Sequence, residues 1–141
     1  MTVLKSTTEF LKTCPLIGQD AQNAELQALF TDGSRGTVHL LPKGQKTVGR
    51  YLDGTVTVQN EMTVYVTGTG ENGVDLEHEN TFLEGLEDWL FSQNELKNFP
   101  LLDAPKKVQS ISSSSGAFYQ TANDPQGICQ VTITLIYTVR L

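Results

Sequence analysis

The stretch ICQVTITLIYTVRL, from Ile128 to Leu141, constrains the fold more than any other part of the chain. Cys129, Val131, Ile133, Leu135, Tyr137, Val139 and Leu141 make one apolar row. Gln130, Thr132, Thr134, Thr138 and Arg140 make the other, interrupted only by Ile136. A period of two this regular describes a long strand with one buried face and one wetter face.

The rest of the chain supplies the partners. Val3, Leu4, Phe10 and Leu11 recur at helical spacing before Pro15, which predicts an amphipathic helix over 2–13. Residues 16–34, with Ala21, Leu26, Leu29 and Phe30, suggest a short second helical stretch that the turn formers TDGSRG end. From Thr37 the period changes. TVHLL (37–41) reads as a strand, PKGQKTVGR (42–50) as an exposed loop or projecting hairpin, and 55–67 as a second strand. In that second strand Met62, Val64 and Val66 share one face, and Thr63, Tyr65 and Thr67 the other. GTGENGVD (68–75) reads as a loop. Phe82, Leu86, Trp89 and Leu90 form the apolar stripe of a helix over 81–97, with Thr81 and Glu84 at capping-box spacing and Asn98 and Pro100 closing it. Strands over 108–120 and 128–140, separated by a polar loop, pair back to back. Helix, strands, helix, strands predicts a single α+β domain over 1–141, a mostly antiparallel sheet flanked by α-helices.

With 141 residues and 38% hydrophobic content, the chain has material for one layered core. A net charge of −6 argues against a surface built to grip nucleic acid, though not against one that nucleic acid slides past. Cys14 and Cys129 read as reduced core thiols rather than a disulfide. The N-terminal residues contain no continuous apolar segment of the kind that targets secretion, and no stretch is apolar enough to span a membrane.

Catalytic and metal patterns are weak. His78 lies among Asp75, Glu77 and Glu79, immediate neighbours that do not converge on one ion without a special loop, and an acidic approach to a helix N-terminus accounts for them. His39 sits within a strand. Neither cysteine has a local partner that marks a nucleophile. GTGENG lacks the strand–turn–helix spacing of a phosphate loop and is followed by carboxylates; SSSSG reads as a bend at a strand edge. The expectation is no catalytic residue, no metal and no cofactor.

Charge is distributed more tellingly. Residues 71–95 hold Glu71, Asp75, Glu77, Glu79, Glu84, Glu87, Asp88 and Glu95, half of the 16 carboxylates, and no basic residue. The cations gather at Lys43, Lys46 and Arg50 and at Lys106, Lys107 and Arg140. A solvated helix face explains the acidic stretch by itself. A surface that keeps a polyanion from adhering explains it too. Opposite charges on different edges of one chain also suit self-association in a ring.

Three stretches carry a resemblance: GRYLDGTVTVQNEMTVYVTG, FLEGLEDWLFSQNELKNFPLL and VQSISSSSGAFYQTANDPQGICQVTITLIYTV. Over roughly 37–139 the chain resembles the minor capsid or tail-completion proteins of long-tailed phages of Gram-positive hosts, through Tyr51, Asp53 and Gly54 at a turn, Trp89 in a helix, Gln109, Ser110 and Ile111, and Ile136 and Tyr137. The resemblance implies a tail terminator: a ring, six-membered in that family, that caps the head-proximal end of the tail tube, stops its growth and docks the DNA-filled head. The implied partners are further copies of the chain, the tail tube protein and a head-completion or connector protein, with double-stranded DNA passing through unbound and no membrane. The implied location is the virion at the head–tail interface, after assembly in the host cytoplasm. Asp53–Gly54 would supply a positive-φ turn and Trp89 a helix-to-sheet anchor. The motif does not fix the contact residues: on one view Glu84, Glu87 and Asp88 face the channel, and on a competing view the loop bearing Lys43, Lys46 and Arg50 grips a neighbouring subunit or the connector. A head-completion adaptor and a small ligand-binding domain are the alternatives.

Overall fold

The computed structural model describes residues 2–19, 26–29, 35–68, 76–119 and 128–140. Helix α1 (Val3–Leu11) is followed by strands β1 (Ile17–Gln19), β2 (Leu26–Leu29), β3 (Arg35–Arg50) and β4 (Thr55–Gly68), helix α2 (Leu76–Leu96), and strands β5 (Lys106–Tyr119) and β6 (Ile128–Arg140). The six strands form one antiparallel sheet in the order β1-β2-β3-β4-β6-β5. The class is α+β, as the alternation of patterns predicts.

The strand read at 128–140 is interior, between β4 and the edge strand β5. Val131, Ile133, Leu135 and Tyr137 are buried. The register continues their row across the sheet: Val131 opposes Val64, which opposes Leu40, while Leu135 lies between Asn60 and Ile111. Phe10 and Leu11 of α1 and Phe82, Leu83, Leu86 and Leu90 of α2 complete one cluster with this row. Each fully buried aliphatic side chain contributes about 2 kcal/mol. Gly85 admits Leu16 to the α2 surface, since a Cβ there would lie 2.7 Å from Leu16 Cδ1.

Several boundaries differ from expectation for physical reasons. Thr2 caps α1 with its hydroxyl, which accepts from the Lys5 N–H at 3.1 Å. The helical stretch expected within 16–34 is absent where the chain is described: Ile17–Gln19 and Leu26–Leu29 pair as strands, with Leu26 set opposite Val38. Edge pairing onto β3 overrides the weak helical period. Residues 42–50 are not a loop but the distal half of β3, matched to β4 as far as Arg50↔Val56. Register shifts between Pro42 and Gly44 and between Thr47 and Gly49 absorb Lys43 and Val48, so proline and glycine sit where a bulge tolerates them. The sequence expectation of a projecting hairpin is thus realised in place of the loop.

Helix α2 begins at Leu76, five residues before the expected start, which places Thr81 inside the helix and removes its capping role. Its other end closes by a Schellman arrangement. Asn98 N–H donates to Gln93 O at 2.9 Å and Lys97 N–H to Asn94 O at 3.1 Å, with Lys97 at φ +57°. The expected turns at 31–34 and 69–75, the polar loop at 120–127, and the side chains of His78 and Cys129 lie outside the described residues. Cys14 is buried and unbonded to another sulfur.

Candidate functional site

The turn joining β3 to β4 follows from its residues. Gly54 stands at φ +92°, its N–H donating to Tyr51 O at 3.1 Å, while Tyr51 N–H donates to Thr55 O at 2.9 Å. Asp53 Oδ1 accepts from the Thr55 N–H at 2.9 Å, and that bond chiefly holds its carboxyl below the usual carboxylate range. The positive-φ role expected of Gly54 is met. Tyr51 takes part through its backbone only, for its ring is exposed and Leu52 beside it is fully exposed.

Beyond Val38 no described strand pairs with the outer edge of β3, and residues 41–48 are exposed on both faces. Together with the start of β4 they make an arm. Leu41, Val48, Tyr51 and Leu52 leave apolar surface in solvent there, among Lys43, Lys46 and Arg50. Lys43 Nζ stands 3.7 Å from Glu61 Oε2. Lys46 and Arg50 form no salt bridge among the described residues. On the helix side, Gln45 Oε1 accepts both from Asn60 Nδ2 at 3.0 Å and from the Tyr137 hydroxyl at 3.1 Å, which ties the arm to β6. The Tyr137 ring is buried as its place in the apolar row requires.

At the opposite edge of the sheet, acidic side chains of α2 stand beside the middle of β5, a strand that begins with Lys106 and Lys107. Helix α2 lies chiefly over β5, the outermost strand there, and Asn94 Oδ1 accepts from the Ile111 N–H at 3.0 Å. Beside this link runs a groove of about 300 Å³ lined by Glu87, Asp88, Phe91, Asn94, Ile111, Ser112 and Ser113. Phe91 is 66% exposed. Glu84, one turn earlier, is exposed and does not line the groove. The structure therefore groups Lys43, Lys46, Arg50, Tyr51, Asp53 and Gly54 on one arm, groups Glu87 and Asp88 at the other edge, and brings no member of one set to the other. Trp89 is half-buried against the core cluster that the strands and helices share. Its ring stacks at a tilt on Phe10 of α1, centroids 5.1 Å apart, and joins helix to helix.

A second groove, of about 440 Å³, lies between α1 and the segment after α2, lined by Ser6, Glu9, Phe10, Thr13 and Asn98–Leu101. Ser6 is buried and its hydroxyl has no hydrogen-bond partner among the described residues. The periodicity of α1 gave no notice of this site, since Ser6 and Thr7 are polar residues on a buried face. Thr7 meets that burial by donating to Val3 O at 2.9 Å. The exposed Phe91, Leu52 and Val48 were equally illegible, because a pattern of apolar residues marks burial and not its absence.

Among the described residues no group of three His, Cys, Asp or Glu side chains is placed to hold a metal ion, and no helix is long and apolar enough to cross a membrane. Comparison with known protein families, curated proteins and solved structures yields no match to this chain.

Proposed function

We propose that the chain is a structural, ring-forming phage protein of the tail-terminator kind, closing the head-proximal end of a tail tube and offering the surface on which the head docks. The observation that carries the reading is the chemical opposition of the sheet's two sides: a basic arm with exposed apolar residues on β3, and an acidic helix edge over β5. A chain whose edges differ in this way associates head to tail, and such contacts close into rings when the rotation between copies permits. In this reading the partners are other copies of the chain, the tube protein and the head connector, at the virion neck, and exposed acidic positions of α2 outside the groove, Glu84 among them, lie toward passing DNA without binding it.

Electron microscopy of particles lacking the gene tests this. Unjoined tails of variable length beside filled heads support tail termination. Normal tails with empty or leaking heads move the protein to the head side as a connector adaptor. Infectious particles overturn both.

The groove holding the unpartnered Ser6 hydroxyl favours a second reading, a small ligand-binding domain. A thermal-shift screen with metals and nucleotides tests it, because a ligand specific for the native state raises the melting temperature.

A further inference from the structure

We infer that the β3–β4 arm of one copy docks into the α2–β5 groove of the next, with Lys46 and Arg50 meeting Glu87 and Asp88 and Val48 covering Phe91. The inference rests on the self-association proposed above and not on the phage setting. It directs Glu87 and Asp88 to a neighbouring subunit and leaves Glu84 and Glu95, exposed and outside the groove, as acidic positions of α2 for any DNA path.

Topology makes the contact intermolecular. The order β3-β4-β6-β5 separates the two surfaces by three strand spacings, about 14 Å, well beyond ion-pair reach within one chain. Charge complementarity selects the partner. The arm carries cations without salt-bridge partners among the described residues, and the groove carries two carboxylates beside an exposed aromatic ring. Lys46 pairs opposite Gln59 and Arg50 opposite Val56, on opposite faces of the sheet, so the arm presents charge above and below its free edge. A groove of about 300 Å³ accepts one or two side chains, given that a cavity of about 150 Å³ holds benzene. The manner of docking also follows. Pro42, the two bulges and the lysines are devices that discourage main-chain pairing at a strand edge. Recognition is left to side chains, which makes it selective for a matching surface. The exposed Val48, an unmatched residue at a bulge, is the apolar contact the arm offers at this point.

The test is a charge exchange on the full chain, followed by analytical ultracentrifugation at low and high salt. The wild-type chain self-associates in a salt-sensitive way, and K46E/R50E and E87K/D88K each weaken association roughly tenfold or more. Mixed in equal amounts, the two variants recover it, because each arm then finds a complementary groove on the other variant. Circular dichroism and melting curves establish that both variants fold. Folded variants that fail to recover association on mixing overturn the inference, as does a wild-type chain that stays monomeric at millimolar concentration. Recovery on mixing together with ordinary infectious particles from the gene deletion would sustain the docking mode and overturn the tail-terminator reading.

Discussion

The Tyr137 hydroxyl donates a 3.1 Å hydrogen bond to Gln45 Oε1, joining β6 to β3 across the intervening β4. It is one of two bonds that Gln45 Oε1 accepts, Asn60 supplying the other. Tyr137→Phe removes the donor while keeping the buried ring, and lowers stability by about 1 kcal/mol in urea unfolding. Hydrogen exchange in the arm, residues 43–50, rises more than in β5.

Stability falls on the alkaline side. Burial holds the Tyr137 phenol above its ordinary value of 10.0 and the Cys14 thiol above 9.0. The native state therefore keeps these protons longer than the unfolded chain does. Their contribution is complete below the unfolded values and disappears as pH rises through the folded ones. Melting temperature measured from about pH 8 to pH 11 declines from near pH 9 upward. Cys14→Ala removes the earlier part of that decline and Tyr137→Phe the later part.

Gly54→Ala places a Cβ at φ +92° and costs about 1–2 kcal/mol, although nothing lies within 4 Å of that Cβ. Gly44→Ala meets equally open space without a positive φ and leaves the melting temperature nearly unchanged. The contrast assigns the cost at Gly54 to backbone conformation alone.

Lys97→Gly stabilises. Lys97 occupies the left-handed position that ends α2, where glycine avoids the Cβ penalty, and the gain in chemical denaturation is about 1 kcal/mol.

Phe10→Ala destabilises by about 3 kcal/mol and exposes the ring it covers. Trp89 is the single tryptophan, so its emission shifts to the red in the folded variant. An unshifted emission would mean that α1 does not pack on α2 through this pair.

The sequence was most legible where burial imposes a period. The rows in β4 and β6, the stripe of α2 and the α+β class follow from alternation and helical spacing, because burial is what those patterns record. Residues 42–50 were illegible as strand because both faces are exposed, which leaves no alternation to read. Leu26 was misassigned to a helix because a strand of four residues is fixed by its partners, Gln19 on one side and Val38 on the other, rather than by its own residues. The site divides in the same way. The cationic and acidic groups were visible as charge runs, but their separation across the sheet depends on the strand order. The grooves beside Phe91 and Ser6 are made by distant segments meeting.

Strand order also bears on how the protein is made. Strand β6 lies between β4 and β5 yet follows both in the chain, and α2 rests chiefly on β5. On the ribosome the β3–β4 hairpin can zip as soon as it emerges, whereas β5 and the helix above it have no sheet to join until Ile128–Arg140 has been synthesised. Until then the apolar faces of β4 and α2 lack the β6 row that completes their core, a window in which nascent chains are open to chaperones and to one another.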